Sequence, residues 1–468
     1  MPGLQDLNRL HELQRRAFAA EPLPSKAARA GRLERLLSVV QRNADAFAAA
    51  ISEDFGHRSR HETLIAEVFV AGAAIRHALK HLGGWMRMRR APTAFYYRPG
   101  YNRVLPQPLG VVGIVSPWNY PLLLVLSPAV GAIAAGNRVM LKPSELTPRF
   151  SALLEKLIAG RFAEDELAVV TGDAEAGKAF VELPFDHLLF TGSTAVGRRV
   201  ALAAAKNLTP VTLELGGKSP AILDPSCDMS IAVPRLALGK LLNAGQTCIA
   251  PDYALVPAAR MAEFAESMRR AVARMYPDPV ASADYTSIVS ERHYVRLEKL
   301  LEDAAGKGAR VVPLGGAADT ARRRMPPALV LGATDDMAIM QEEIFGPLLP
   351  VLGYRSLDEA IDYVNRHDRP LALYWFGEDA AGRDRVLART VSGGVTVNDC
   401  LLHVAQEDLP FGGVGASGMG AYHGEAGFRT FSREKPVFFQ SRRNGMFLMR
   451  PPYGRAFERL VALLRRFA

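Results

Sequence analysis

From residue 111 onward, short apolar runs alternate with segments of helical periodicity, and this alternation constrains the fold more than any other feature. Val111–Val115 is typical of a buried strand, Pro121–Ala135 follows with helical character, and Arg138–Lys142 is a second apolar run. The pattern continues to residue 206 and begins again near Val211. Strand–helix units at this spacing predict parallel sheets covered by helices on both faces. Because 468 residues are too many for one ordinary core, two α/β domains in series are expected.

The composition is that of an ordinary globular protein, with 49% hydrophobic and 22% charged residues, which excludes wholesale disorder. Residues 5–95 mix charged and apolar positions at helical spacing and are predicted to be helical. Three cysteines without metal-ligand spacing argue against a disulfide framework and against a bound metal. The first residues contain no apolar signal-peptide centre, so a cytoplasmic protein is expected.

The longest stretch without a formal charge, residues 104–137, raises the question of a membrane span. It contains five prolines and several glycines. Since a spanning helix is normally a more continuous apolar block, a strand, a turn and a buried helix are predicted here instead.

The formal net charge of +9 is concentrated at the C-terminus, where residues 442–468 hold seven arginines and one acid, Glu458. The rest of the chain is close to balanced, so a nucleic-acid-binding surface is not expected. A basic amphipathic helix is predicted at residues 455–467, and its apolar stripe holds Phe457, Leu460, Val461, Leu464 and Phe467. Such a helix can lie on an anionic membrane, but packing on its own protein or on a second subunit is the favoured interpretation.

The segment FTGSTAVG, residues 190–197, forms a turn between a predicted strand and a predicted helix. Gly192 and Gly197 allow a tight turn, and Ser193 lies at the helix N-terminus, where free N–H groups can meet a pyrophosphate. The spacing is G-x-x-x-x-G rather than G-x-G-x-x-G, so an ordinary strand–helix turn is the alternative, and on glycine usage alone it is the more common one.

Two residues are candidates for catalysis, one in a polar turn and one at the end of an apolar strand. Cys248, in NAGQTC, follows a glycine-containing break where backbone dipoles can stabilise a thiolate, whereas Cys227 and Cys400 are expected to be buried small hydrophobes. Glu214 ends a predicted apolar strand in LELGGKSP, where burial either pairs it with a cation, Lys218 being the candidate, or raises its pKa. A raised pKa suits a general base that works near neutral pH.

Asn119, in SPWNYP at residues 116–121, follows a predicted strand and exposes a side-chain amide. Such an amide can donate a hydrogen bond to a developing oxyanion. An Asx-turn next to proline is the alternative, and the residue types alone leave both open.

Seven motifs in a fixed order resemble the aldehyde dehydrogenase superfamily over residues from about 105 to 440. They are SPWNYP, LKPSE at 141–145, FTGSTAVG, LELGGKSP, NAGQTC, EEIFGP at 342–347 and LPFGGVGASGMGAYHG at 409–424. Each motif alone is modest, but seven in order with compatible spacing are very specific. The GMGAYHG ending and the short stretch before the cysteine resemble the class 3 and fatty aldehyde branch.

The resemblance implies a role for each matching residue. Cys248 would be the nucleophile, Glu214 the general base, and Asn119, with the backbone N–H of Cys248, the oxyanion hole. Tyr120 and His403 would lie along the substrate tunnel, and no metal is implied. The implied contacts to the cofactor are Ser116, Pro117, Trp118, Lys142, Ser144, Glu145, Gly192, Ser193, Gly197, Leu215, Glu343 and Phe345.

The implied reaction is the NAD-dependent oxidation of a hydrophobic aldehyde to its carboxylic acid, through a thiohemiacetal and a thioester on Cys248. An aromatic enal such as coniferaldehyde is the expected substrate, and a medium- or long-chain aliphatic aldehyde is the alternative. Glu145 at the adenosine ribose favours NAD, with NADP as a weaker alternative. Glu214 favours water over coenzyme A as acyl acceptor. A basic membrane-surface or nucleic-acid-binding protein is the alternative from a different class.

The implied fold is α/β, with two parallel-sheet domains and a small β arm for oligomerisation, and a homodimer is expected. The expected nucleotide-binding domain comprises residues 1–88 and 106–213, and the catalytic domain residues 214–427. The arm is expected at residues 89–105 and 428–445. The basic amphipathic tail then covers residues 446–468.

Overall fold

The computed structural model covers residues 4–466, and within these residues the strands form three sheets. In chain order the strands are β1 (Arg89–Ala91), β2 (Tyr101–Pro108), β3 (Val111–Val115), β4 (Arg138–Lys142), β5 (Leu167–Val169), β6 (His187–Gly192), β7 (Val211–Leu215), β8 (Pro220–Leu223), β9 (Tyr253–Pro257), β10 (Arg310–Pro313), β11 (Ala328–Leu331), β12 (Leu348–Tyr354), β13 (Ala372–Phe376), β14 (Gly394–Val397), β15 (Gly418–Met419) and β16 (Ser432–Phe439).

Helices surround the two larger sheets, as the alternating pattern predicts. In chain order they are α1 (Leu4–Ala20), α2 (Lys26–Arg42), α3 (Ala44–Phe55), α4 (Arg60–Thr63), α5 (Val70–Trp85), α6 (Pro121–Ala135), α7 (Pro148–Ala159), α8 (Ala174–Val181), α9 (Thr194–Ala205), α10 (Met229–Leu241), α11 (Met261–Met275), α12 (Glu291–Gly306), α13 (Ala338–Gln341), α14 (Leu357–Arg366), α15 (Ala380–Arg389), α16 (Gly424–Thr430) and α17 (Arg455–Leu464). A π-helical turn, Leu64–Phe69, joins α4 to α5. None of the helices within residues 4–466 is long and apolar enough to cross a membrane.

The first large sheet has the strand order β15-β7-β6-β3-β4-β5, and its strands are parallel except for the short edge strand β15. Parallel strands end at the same edge of a sheet, so the residues that follow β3, β4, β6 and β7 meet there. Strand β7 includes Glu214, and the domain boundary expected between residues 213 and 214 falls inside this strand.

The second large sheet has the order β10-β11-β12-β9-β8-β13-β14 and is parallel except for β10, which pairs antiparallel with β11. One continuous hydrophobic cluster contains residues of both sheets, for example Ile114 of β3 and Ile222 of β8. The predicted α/β fold with two parallel sheets is therefore confirmed.

The third sheet is small and antiparallel, in the order β1-β2-β16, and β16 pairs with β2 over eight residues from Ser432↔Pro108 to Phe439↔Tyr101. The helical region therefore ends at Trp85 rather than near residue 95, because residues 89–91 pair with β2. Exposed aromatic side chains cluster on this sheet and its connection: Phe95, Tyr96, Tyr97, Tyr101, Phe438 and Phe439.

The C-terminal helix α17 ends at Leu464, and none of its residues is fully buried. It packs on the short 3₁₀ turn Gly445–Met449, with the ring of Tyr453 lying 4.5 Å from the ring of Phe457. The predicted stripe residues Phe457, Leu460, Val461 and Leu464 are half-buried, and Phe467 lies outside the described residues.

Candidate active site

The ends of the parallel strands border a cavity of about 220 Å³ that opens into a larger cleft of about 1420 Å³. The cavity brings together three residues singled out in the sequence, Asn119, Glu214 and Cys248. Both spaces share the residues that lie at their junction, namely Pro117, Trp118, Thr191, Gly192, Ser193, His293 and Arg296. The smaller cavity can hold a reacting group, and the cleft is large enough for a dinucleotide.

Cys248 follows α10 through a strained turn in which Asn243, Ala244 and Gly245 all have positive φ angles, of 55°, 52° and 75°. The side chain of Gln246 ties this turn to its surroundings. It donates to the carbonyls of Asn243 (3.0 Å) and Ser287 (3.1 Å) and accepts from the N–H of Val289 (2.9 Å). The position of the thiol is therefore fixed by the backbone that precedes it.

Burial, together with the nearby carboxyl groups of Glu343 and Glu214, raises the pKa of the half-buried Cys248 thiol to about 12. The backbone N–H groups of Cys248 and Ile249 act in the opposite direction, as the sequence predicts, but they do not outweigh burial. In the protein without ligands, burial therefore favours the neutral thiol, whereas the backbone dipoles favour the thiolate, as expected.

Glu214 lies near the end of β7 with only 2% of its surface exposed, and neither carboxyl oxygen has a hydrogen-bond partner. Burial raises its pKa well above the ordinary value. Lys218, the alternative partner, instead forms an ion pair with Asp252 and donates to the carbonyl of Ile339 (2.7 Å). Of the two sequence interpretations, the structure therefore favours a buried carboxyl with a raised pKa over an ion pair. Buried unpaired carboxyl groups are costly and are concentrated at functional sites.

Asn119 follows β3 and is buried, and its side-chain amide donates to the carbonyl of Gln246 at 3.2 Å. This bond reaches the Cys248 turn rather than a neighbouring residue, so the Asx-turn alternative does not describe the side chain. The amide thus borders the same cavity as the thiol, as an oxyanion donor requires.

The large cleft is lined by most of the residues that the sequence assigned to the cofactor. Ser193 is the N-cap of α9, and its hydroxyl accepts from the N–H of Val196 at 3.4 Å. The other cofactor candidates on its wall are Ser116, Pro117, Trp118, Lys142, Ser144, Glu145 and Gly192. The free N–H groups at the start of α9 therefore face a space of dinucleotide size, which is how helix N-termini bind pyrophosphate.

Gly197 does not line either space but allows α9 to pack closely on β7. A Cβ atom at Gly197 would lie 2.5 Å from Leu215 Cδ2. Leu215 itself lines the small cavity. The second glycine of the turn therefore supports the cleft through packing.

Glu343 and Phe345 lie on the opposite wall of the small cavity. Phe345 has a φ of 50°, and its ring meets that of Trp118 edge to face at 5.3 Å. Glu343 Oε1 is buried without a partner, and burial raises the pKa of this carboxyl to about 8. An unpaired carboxyl oxygen on a residue that lines the cavity fits a contact to a ribose hydroxyl.

Tyr120 and His403 are both buried, and each forms a side-chain hydrogen bond. The Tyr120 hydroxyl bonds to Thr247 Oγ1 at 2.8 Å, and His403 Nδ1 bonds to Thr396 Oγ1 at 2.7 Å. Neither residue contributes to the wall of the cavity. The assignment of these two residues to the substrate tunnel therefore stays a prediction.

Several wall residues were missed by the sequence interpretation. Leu124 of α6 and Leu371 supply apolar surface, and Phe411 and Tyr422 belong to the long glycine-rich motif near the C-terminus. Periodicity could have identified Leu124 only as a core residue. His293 and Arg296, on one face of α12, lie at the junction of cavity and cleft and had no distinguishing sequence signal. Arg296 donates to the carbonyl of Glu343 at 3.1 Å.

The described residues contain no cluster of three or more His, Cys, Asp or Glu side chains that could hold a metal ion. The site consists of a thiol, a buried carboxyl and an amide beside a dinucleotide-sized cleft between two parallel sheets. This combination defines an α/β enzyme of the dehydrogenase class. The aldehyde dehydrogenase family matches residues 5–437, and the chain belongs to that family, whose members use NAD or NADP.

The chain is similar over almost its whole length to named members of this family. A probable coniferyl aldehyde dehydrogenase of Pseudomonas aeruginosa is 51% identical over 460 residues, which cover 98% of this chain and 96% of that protein. A coniferyl aldehyde dehydrogenase of a Pseudomonas species is 49% identical over 468 residues, covering 99% of this chain and 97% of that protein. The substrate-bound structure of Staphylococcus aureus AldH is 38% identical, with a TM-score of 0.93 and coverage of 98% and 99%.

Proposed function

We propose that this aldehyde dehydrogenase oxidises an aromatic enal, with coniferaldehyde as the best candidate, to the carboxylic acid with NAD. The observation that carries the proposal is that Cys248, Glu214 and the Asn119 amide meet in one cavity that opens into the cleft. The names of the two Pseudomonas relatives support the choice of coniferaldehyde. The apolar wall, which includes Leu124, Phe411 and Leu371, suits a hydrophobic aldehyde.

In the proposed reaction, the Cys248 thiol gives its proton to solvent water in the cleft, and the resulting Sγ thiolate adds to the aldehyde carbon. The resulting alkoxide accepts hydrogen bonds from the Asn119 amide and from the backbone N–H of Cys248. When bound, oxidised nicotinamide supplies a hydride acceptor and a positive charge that favours the ionised forms of Cys248 and Glu214. Loss of the hydride leaves a thioester on Cys248. Glu214 takes a proton from water, which attacks the thioester and releases the acid and the thiol.

The residues on the cleft wall would hold the cofactor. The N-terminus of α9 at Ser193 would contact the pyrophosphate, and Glu343 the ribose next to the nicotinamide. Lys142 Nζ donates to the carbonyls of Pro143 and Gly172, both at 3.0 Å, which fixes it beside the cleft. Glu145 would bind the adenosine ribose and repel a 2′-phosphate, so we propose NAD as the preferred cofactor and NADP as a weaker one.

The substrate proposal is tested by following NADH formation with purified protein, NAD and either coniferaldehyde or decanal at matched concentrations. We expect higher kcat/KM for coniferaldehyde, complete loss of activity in Cys248→Ala, and retained activity in the matched control Cys227→Ala, whose thiol is buried away from the cavity. Faster turnover of decanal would leave the mechanism intact and assign the enzyme to long-chain aliphatic aldehydes. A preference for NADP of tenfold or more would refute the cofactor assignment.

We also propose that the protein is a homodimer and that the three-stranded sheet contributes to the subunit contact. The exposed aromatic residues of that sheet, Tyr101 and Phe439 among them, support this because an apolar patch of this kind marks protein interfaces. Light scattering coupled to gel filtration would give the mass. A monomer at micromolar concentration would contradict the proposal.

A further inference from the structure

A buried ion pair outside the cavity lies directly behind Asn119. Arg58 and Glu67 both have fully buried side chains, and Arg58 Nη1 donates to Glu67 Oε1 at 2.6 Å. The same nitrogen donates to the carbonyl of Asn119 at 3.2 Å. The guanidinium also lies 4.8 Å from the centre of the Tyr120 ring. The backbone carbonyl of Asn119 and the side-chain ring of Tyr120 therefore contact one buried cation.

Glu67 fixes the other side of the same turn. Its Oε2 accepts from the N–H groups of Leu122 (2.7 Å) and Leu123 (3.1 Å). These donors lie in the first turn of α6, where N–H groups have no partner within the helix. Tyr120, the N-cap of α6, provides no side-chain hydrogen bond of its own. A carboxylate at a helix N-terminus is also favoured by the helix dipole. Glu67 thus acts as the cap of α6 from a distant segment.

The two halves of the oxyanion hole depend on the same segment of chain. Glu62 accepts from the backbone N–H of Asn243 at 3.2 Å and from Thr286 Oγ1 at 2.8 Å, so it fixes the turn that leads to Cys248. Glu62 lies in α4, just before the π-helical turn Leu64–Phe69, and Glu67 lies within that turn. Such turns are rare and are frequent at functional sites. The segment formed by α4 and the π-helical turn therefore presents one buried carboxyl to each half of the hole.

We propose that Glu67, through Arg58 and the first turn of α6, is a positioning residue that holds the Asn119 amide where the alkoxide forms. This inference rests on the proposed role of Asn119 in the oxyanion hole. The donor must lie within hydrogen-bond distance of the developing charge, and a displacement of about 1 Å can cost about a hundredfold in rate. Burying the charges of Arg58 and Glu67 costs desolvation free energy, and an apolar contact could support the loop at Asn119 without that cost.

The direct test is Glu67→Gln in the full-length enzyme, with NADH formation as the assay. The variant keeps the shape of the side chain but presents an amide to Arg58 and removes the charge that caps α6. We expect kcat to fall by about tenfold to a hundredfold, with KM for aldehyde within about twofold, because the contact matters only in the transition state. The alkylation rate of Cys248 by iodoacetamide should not change, since that reaction does not use the hole.

A double-mutant cycle with Asn119→Ala separates positioning from general damage. If Glu67 acts through Asn119, the Glu67→Gln substitution has no further effect on kcat in the Asn119→Ala background. A second, multiplicative loss in the double variant would overturn the proposal. If Glu67→Gln does not fold, Arg58→Lys is used in the same cycle, because the shorter cation keeps the charge but gives up the contact with the Asn119 carbonyl.

Arg29→Met provides the matched control. Arg29 is also buried and binds the other end of α6, where its Nη1 donates to the carbonyls of Ala134 (3.1 Å) and Ala135 (2.6 Å). We expect Arg29→Met to lower Tm but to leave kcat within about twofold, since this end of α6 is far from the hole. An equal loss of kcat in Arg29→Met and Glu67→Gln would refute the proposal. An inactive wild type, or an unaffected Asn119→Ala, would instead refute the proposed function.

Discussion

The raised pKa of Cys248 makes a quantitative prediction about the enzyme without ligands. A cysteine with the ordinary pKa of 9.0 is about 1% thiolate at pH 7, whereas a pKa of about 12 leaves about 1 thiolate in 10⁵ thiols. Because alkylation requires the thiolate, Cys248 should react about a thousandfold more slowly with iodoacetamide than an ordinary exposed cysteine at neutral pH. The main cause is burial, and the carboxyl groups of Glu343 and Glu214 contribute less.

The assay is the rate of iodoacetamide labelling of the Cys248 peptide, measured by mass spectrometry between about pH 7 and about pH 10. Below its pKa a thiol reacts about tenfold faster for each unit of pH, so the rate for Cys248 should rise over the whole range without a plateau. The unfolded protein is the control, because its cysteines should level off near the ordinary pKa. Glu343→Gln should raise the rate by less than tenfold, since it removes a smaller contribution than burial.

The same labelling assay can be run with and without bound NAD. A positive charge beside the thiol favours its ionised form, so saturating NAD should increase the labelling rate at neutral pH. A plateau below about pH 9 in the free enzyme would refute the argument, because it would show that the cavity does not destabilise the thiolate. Equal rates with and without NAD would refute the effect of the cofactor charge.

Three further predictions concern the cavity. The pKa of Glu214 is higher in the folded protein than in the unfolded protein, so the stability that this carboxyl contributes is present at low pH and is lost as pH rises towards the folded pKa. In thermal melts, Glu214→Gln should therefore match the wild-type Tm near about pH 5 and exceed it increasingly up to about pH 8. In Gly216→Ala the new Cβ would lie 1.9 Å from Glu343 Oε2, so KM for NAD should rise about tenfold or more while the fold is retained, and an unchanged KM would contradict the role of Glu343. Phe411→Ala should remove part of the apolar wall and so enlarge the cavity. Steady-state kinetics should then show kcat/KM lowered by about tenfold for coniferaldehyde and unchanged for decanal.

The order of strands and helices could be predicted from the sequence because each run carries its own periodicity. Arg138–Lys142 is a strand at the same residues in the sequence and in the structure, and the predicted helix at 195–206 is observed as Thr194–Ala205. The early end of the helical region at Trp85 could not be predicted, because β1 is stabilised by pairing with β2 rather than by local preference. Short strands of this kind depend on a distant partner.

The candidate site was predictable where a residue type is unusual for its surroundings. A carboxyl at the end of an apolar strand identified Glu214, and a cysteine in a polar turn identified Cys248. The direction in which a side chain points was not predictable, and neither Tyr120 nor His403 is among the residues that line the small cavity. Nor could the sequence show that Glu67, far from any motif, bonds to the turn of Asn119, because that contact joins segments that only the fold brings together.

The pairing of β15 with β7 has a consequence for biosynthesis. Glu214 lies opposite Gly418, so this edge of the strand that carries it stays open until the ribosome has made residue 418. Exposed strand edges are prone to pair with other chains. A nascent or truncated polypeptide that stops before residue 418 would therefore contain Cys248 and Glu214, but the edge of β7 beside Glu214 would be unpaired and open to pairing with other chains.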